Sequence, residues 1–302
     1  METTVTELDA LARAILRTLL YSDLFDYPLT LAEAAHYLIG RPSTPDEVRA
    51  CLARSCWLAD RVIELNGYLA LRGREALIAR RLERAAASDR LWRRARHFVR
   101  VLRLFPFVRM IAITGSLAMK NSPADDDIDL LIVTVPDRVW LTRALSIALV
   151  YAGKVCGDTL CPNYVISERV LALDRHTLFV AHEFAQVVPV YGLTVYDRMR
   201  TLNPWVQVML PNATQPLWLQ PEEAVGSIGR GLKRALEKLL SGRLGTALDC
   251  WEMRRKISKF QRRLGQPDSD ALLDRDHVKG HFEDHGGPVM RLYAERLGQF
   301  EP

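Results

Sequence analysis

Cysteine is scarce in this chain. Five residues, Cys51, Cys56, Cys156, Cys161 and Cys250, are scattered over 302 positions with no CxxC pair and no regular spacing. That pattern excludes a disulfide scaffold and fits reduced thiols in a cytoplasmic protein. Long apolar runs are missing too. The most apolar stretch, 144–152, falls far short of the roughly 18 residues needed to span a bilayer. The opening METTVTELDALARAIL carries acids where a secretory signal would carry positive charge. Internal repeats, low-complexity tracts and aromatic-interleaved RNA-recognition motifs are also absent. What is present is balanced: 49% hydrophobic and 25% charged residues, the composition of a folded protein with one sizeable core or two modest ones.

The net charge of +5 hides an uneven distribution. Residues 1–60 hold five basic and nine acidic side chains, whereas 70–110 hold twelve Arg against Glu75, Glu83 and Asp89. A second basic block, 226–265, sets eleven basic residues against three acids. Two cationic stretches after an acidic front end allow an anionic partner.

The front end has legible punctuation. Leu8, Leu11, Ile15 and Leu19 recur at helical spacing, Thr30 with Glu33 and Thr44 with Glu47 form capping-box pairs, and Asn66-Gly67 joins two short apolar runs as a hairpin turn. Three helices and a hairpin predict a winged-helix-like domain over 1–75. Its third helix sets Arg49 and Arg54 against Asp46 and Glu47, a poor footprint for DNA, so docking or dimerisation is the stronger expectation. Residues 76–105 read as one basic linker helix, its arginines either solvated or near a phosphate.

The chemistry-bearing pattern lies between the basic blocks. An apolar run, 110–114, ends in Gly115-Ser116; ten residues later Asp127-Ile128-Asp129 opens a second apolar run, 130–133. Both runs predict buried strands. Alternate strand residues share a face, which places Asp127 and Asp129 about 7 Å apart on one side with Ile128 in the core. Such a pair suits Mg²⁺ or Mn²⁺, since Mg²⁺ takes one or two carboxylates and completes its shell with water and substrate phosphates. Gly115 permits a sharp turn and close approach to phosphate, backbone N–H groups of a helix over 117–121 would form an anion site, and Lys120 would add charge. Metal-assisted phosphoryl-group chemistry is the class these parts serve.

This strand, Gly-Ser, ten-residue spacer and Asp-apolar-Asp resembles the DNA polymerase beta-like nucleotidyltransferase superfamily, especially its small bacterial minimal members. The match covers roughly residues 106–170. The resemblance implies an α/β (α+β) fold with a mixed sheet and flanking helices, and transfer of a nucleoside monophosphate from a triphosphate to an acceptor hydroxyl; AMP is the nucleotide expected first, and a small molecule, protein or RNA the acceptor. It implies that Gly115 and Ser116, with Lys120 nearby, hold the triphosphate and that Asp127 and Asp129 are catalytic metal ligands. The family's third carboxylate, on the strand after the next helix, aligns with Asn163, which cannot take a proton at neutral pH. Asp158 or Glu168 is a candidate substitute. The alternative is a non-catalytic, nucleotide-sensing winged-helix regulator that has lost this acid.

The expected organisation is therefore 1–75, the basic helix 76–105, a nucleotidyltransferase domain over 106–215 and a C-terminal helical region over 216–302. In the last, 229–263 reads as two amphipathic helices around Gly242 to Gly245. His182-Glu183 lacks the second His of a zinc HExxH motif and reads as a packed or capping histidine. His277, His281 and His285 would align on one helical face, a weak zinc or phosphate signal.

Overall fold

The computed structural model describes residues 2–155, 160–222, 225–264, 271–279 and 284–300. The N-terminal module comprises α1 (Glu2–Asp23), β1 (Leu29–Thr30), α2 (Leu31–His36), α3 (Pro45–Arg54), the short α4 (Cys56–Ala59) and a hairpin of β2 (Val62–Leu65) and β3 (Tyr68–Leu71). Both capping boxes form: Thr30 and Thr44 accept from the backbone N–H groups of Glu33 and Glu47, whose carboxylates return to the cap N–H groups. Asn66 and Gly67 both take positive φ, as the two-residue hairpin requires. The strands order β1-β3-β2. On α3, Arg49 is held by Asp46 at 2.9 Å.

After α5 (Ala76–Leu102) comes a six-stranded sheet ordered β7-β4-β5-β6-β9-β8, built from β4 (Val108–Ile113), β5 (Ile128–Thr134), β6 (Leu160–Ser167), β7 (Val188–Tyr191), β8 (Leu272–Leu273) and β9 (His277–Lys279). It is mixed: β4 and β5 are antiparallel, and β5 and β6 are parallel. The parallel pair needs a crossover, supplied by α7 (Val139–Val155). The short α6 (Gly115–Ala118) links β4 toward β5, α8 (Leu178–Gln186) leads into β7, and α9 (Leu193–Thr201) and α10 (Trp205–Met209) follow. Pro189, which interrupts the apolar stretch after His182, sits on the edge strand β7, where a missing donor is tolerated.

The C-terminal part departs from a purely helical region. Helices α11 (Ser227–Leu240) and α12 (Arg243–Leu264) form as the amphipathic pattern predicts, but β8 and β9 then add a hairpin to the main sheet before α13 (Gly286–Phe300). His277 therefore lies on a strand, bonded to Asp274, and not on a helix with His285, which precedes α13. His281 falls outside the described residues. The cause is pairing: β9 satisfies the open edge of β6, a tertiary gain that outweighs the local i, i+4 pattern.

Alternation along the sheet sorts its side chains between two packed faces. Ile128, Leu130 and Ile132 face one cluster with Leu91, Trp92 and Trp140 from α5 and α7. Leu131 and Val133 face another, continuous with Leu16, Leu20, Tyr37 and Leu38 of the N-terminal module and with Phe184 and Tyr293. Asp129 shares the face of Leu131, so the N-terminal module covers the face that carries it. Among the described residues no helix is long and apolar enough to cross a membrane.

Candidate functional site

The Gly-Ser segment is held mainly from α5. Arg81, Arg84, Ser88 and Trp92, three or four residues apart, share one helical face. Arg81 donates to the carbonyl of Lys120 at 2.7 Å, Ser88 Oγ accepts from the N–H of Ser122 at 3.0 Å, and Trp92 Nε1 donates to the carbonyl of Leu117 at 3.0 Å. Arg84 reaches Asn121 Oδ1 at 3.4 Å. The arginine-rich helix is thus neither only a solvated face nor only a phosphate site: one side of it is a scaffold for the loop. Arg81 also grips the N-terminal module, donating to Glu33 Oε1 at 3.0 Å and to Tyr27 Oη at 2.7 Å while lying over the Tyr27 ring.

Gly115 begins a single helical turn that ends at Ala118, shorter and earlier than a helix over 117–121; Lys120 has already left it with φ of 52°. Gly115 itself has φ of +66°, and a Cβ placed there would lie 2.6 Å from Asp129 Oδ2. A side chain is excluded twice, by backbone conformation and by the carboxylate. Ser116 Oγ lies 2.8 Å from Ser122 Oγ and donates to the Asp126 carboxylate. Lys120 does not join this group, because its Nζ lies 4.0 Å from the centre of the Trp218 ring and 3.8 Å from Asp89.

Asp127 precedes β5 and Asp129 is its second residue, each part-exposed on either side of the buried Ile128. Across the sheet, the register of β6 slips by one residue between the pairs Asp129↔Cys161 and Leu131↔Tyr164. A slip of this kind re-aims side chains and tolerates Pro162. Asn163 lies at that slip, and its amide donates to Asp129 Oδ1 while its Oδ1 faces Cys161 Sγ. Burial, with Asp126 and Asp127 adding repulsion, pushes the pKa of Asp129 up to about 7, against the downward pull of the Asn163 hydrogen bond.

Among the described residues no three or more His, Cys, Asp or Glu side chains are grouped to hold a metal ion. Mg²⁺ does not need such a set, because one or two carboxylates with water and substrate phosphates satisfy it. The crowded acids around Asp129, whose carboxylate lines the cavity, fit a divalent cation.

Gly115, Ser116, Asp129 and Asn163 line one cavity of about 870 Å³, together with Arg84. Glu183 lines it as well. It is surrounded by protein yet accessible, because the surface it exposes faces the cavity. Burial raises its pKa, Lys279 opposes that rise, and its charge is felt at Asp129. The neighbouring His182 is buried in α8, as a packed histidine, and makes no cap. Asp158 lies outside the described residues. Glu168, just past β6, does not line the cavity.

Of the residues to which the sequence points, Gly115, Ser116, Asp129 and Asn163 line the cavity, whereas Asp127 and Lys120 do not; Arg84 and Glu183 line it without having been among them. A lone acid inside the apolar helix LFVAHEFAQ was the available signal for Glu183; Arg84 had none, being one arginine among many. In comparisons with protein-family models, curated proteins and solved structures, nothing matches this chain.

Proposed function

We propose that the chain is a polymerase beta-like nucleotidyltransferase that moves a nucleoside monophosphate, AMP first, from a triphosphate to an acceptor hydroxyl. The observation that carries this reading is the convergence, in one cavity, of a glycine turn pressed against Asp129, the Ser116 hydroxyl, Arg84 and Asn163. The backbone at Gly115 and Ser116 cradles the triphosphate, and Arg84 supplies the positive charge first expected of Lys120. Asp127 and Asp129 would hold Mg²⁺ or Mn²⁺, which supplies charge stabilisation at the attacking and leaving oxygens.

In the transfer step the acceptor oxygen forms a bond to the α-phosphorus, the bond from that phosphorus to the bridging oxygen breaks, and pyrophosphate leaves with the electron pair. The acceptor proton goes to Glu183. Asn163 positions Asp129 by its hydrogen bond and takes no proton. The third acid thus comes from α8 and not from β6.

Incubation with α-labelled ATP and Mg²⁺ tests this, with label followed into product and pyrophosphate release measured in parallel. Asp127→Ala with Asp129→Ala should abolish transfer; retained transfer contradicts the mechanism. Glu183→Gln should lower turnover about 100-fold with ATP affinity unchanged, the scale of a lost general base. The second reading, a nucleotide-sensing regulator, is favoured by Asn163 standing where the family has an acid. It predicts ATP binding with no pyrophosphate release.

A further inference from the structure

We propose that the acceptor is a small molecule with a flat aromatic body, seated in the cavity beside Asp129, whose second polar group bonds His182. The proposal deepens the transfer reading above and rests on it. Among the described residues seven phenyl or phenol rings line the cavity: Tyr21, Phe25, Tyr27, Tyr37, Tyr164, Phe179 and Phe184. Four of them come from the N-terminal module, so that module is a wall of the site. Tyr21, Tyr27 and Tyr37 expose no more than 4% of their surface, which sets this wall deep in the molecule. Aromatic walls with a few convergent polar groups suit flat apolar ligands.

His182 supplies the specific polar contact. It is 4% exposed and lines the cavity, and its two ring nitrogens, both shielded from solvent, have no hydrogen-bond partner among the described residues. Its ring stacks on Tyr21 with centroids 4.0 Å apart and planes 13° from parallel, which fixes its orientation. Burial keeps the imidazole neutral, so it offers one donor and one acceptor. Buried polar groups are almost always paired, and a ligand hydroxyl would complete this one.

Charge argues against a polymeric acceptor. Among the described residues, the charged side chains lining the cavity are Asp129, Glu183 and Asp284 against Arg84 and Lys279. RNA needs a groove of the opposite balance. The volume of about 870 Å³ is near the upper end for small-molecule sites and leaves room for a nucleotide and a compact second ligand.

The full chain, without nucleotide, is titrated with 2-naphthol and with 2,6-dihydroxynaphthalene, following naphthol fluorescence. The two share one aromatic body, but only the second can bond His182 while keeping a hydroxyl toward Asp129. Both should bind, the dihydroxy compound about tenfold more tightly, the worth of one buried hydrogen bond. In His182→Phe the ratio should fall to about one; should that variant not fold, the ratio in the parent chain decides. No binding of either naphthol, or equal affinities in the parent, overturns the proposal. So does label transfer from ATP to an RNA oligomer or to sorbitol in preference to the naphthols. Tenfold discrimination without any Mg²⁺-dependent label transfer overturns the transfer reading, and the acceptor role with it, while the aromatic ligand class stands.

Discussion

Gly115 and His182 show how much of the site rests on single positions. At Gly115 a methyl group would meet Asp129 Oδ2 at 2.6 Å and force an L-residue to a φ of +66°. Gly115→Ala should destabilise the fold by about 1–3 kcal/mol in urea unfolding and reduce ATP binding at least tenfold. His182 carries the opposite balance of stability and function. Its nitrogens lack partners among the described residues, and burial lowers its pKa from 6.5 to about 3. The unfolded chain therefore gains a proton below pH 6.5 that the folded chain refuses, so stability is full above 6.5 and falls as pH drops toward 3. His182→Phe removes that dependence. The variant should be the more stable one at pH 7, and its advantage should widen by about 2 kcal/mol at pH 5. A constant difference across that range would show that His182 is not held neutral.

Asn163 belongs to the same scale. Its amide is a donor to Asp129 in a nest of acids. Asn163→Asp would replace that donor with a further carboxylate, so the variant should lose about 1–3 kcal/mol of stability in metal-free buffer and recover much of it with Mg²⁺. Equal thermal shifts with Mg²⁺ in parent and variant would remove the cation from this site.

At the level of elements, α5 is the part whose role changes most between sequence and structure. Its periodicity and its arginines were legible, and so was its extent. That Arg81 reaches across to Glu33, Tyr27 and Lys120 was not, because those partners lie 39 to 54 residues away in the chain. Both members of the Arg81–Glu33 pair are nearly buried, with side chains 5% and 8% exposed. Breaking such a pair strands a charge, so Arg81→Met should cost about 3–5 kcal/mol, and adding Glu33→Gln should restore part of it. The capping boxes at Thr30 and Thr44 and the Asn66-Gly67 turn were readable because each is closed within a few residues. By contrast, the β8–β9 hairpin was not readable, since His277 to Lys279 become a strand only by pairing with β6. The same limit hid Glu183: its place in the cavity with Asp129 depends on how α8 packs against the sheet.

Across the whole molecule, the front end and the central sheet share one hydrophobic cluster, running from Leu16 and Tyr37 to Leu131 and Phe184. Segment boundaries near residues 75 and 105 follow the chain's composition, but packing ignores them. Removing 1–75 should therefore leave 76–302 with exposed apolar surface and no cooperative unfolding transition; a sharp transition in that fragment would show that the sheet folds without its cover. The charge pattern also acquires a meaning at this scale. Basic residues at the start of α5 and just before it grip the acidic front end, with Arg74 on Asp23 and Asp26 and Arg80 on Asp26, so part of the sequence's cationic block is paired within the molecule. In the proposed function, the Gly115–Ser116 turn and the Asp127–Asp129 pair bind a metal–triphosphate complex. Calorimetric titration of the full chain with ATP, in the presence and absence of Mg²⁺, tests it most directly. Mg²⁺-dependent binding that weakens at least tenfold in Asp127→Asn with Asp129→Asn is the expected result. Binding that is indifferent to Mg²⁺ and to those two substitutions, or no binding at all, would contradict it.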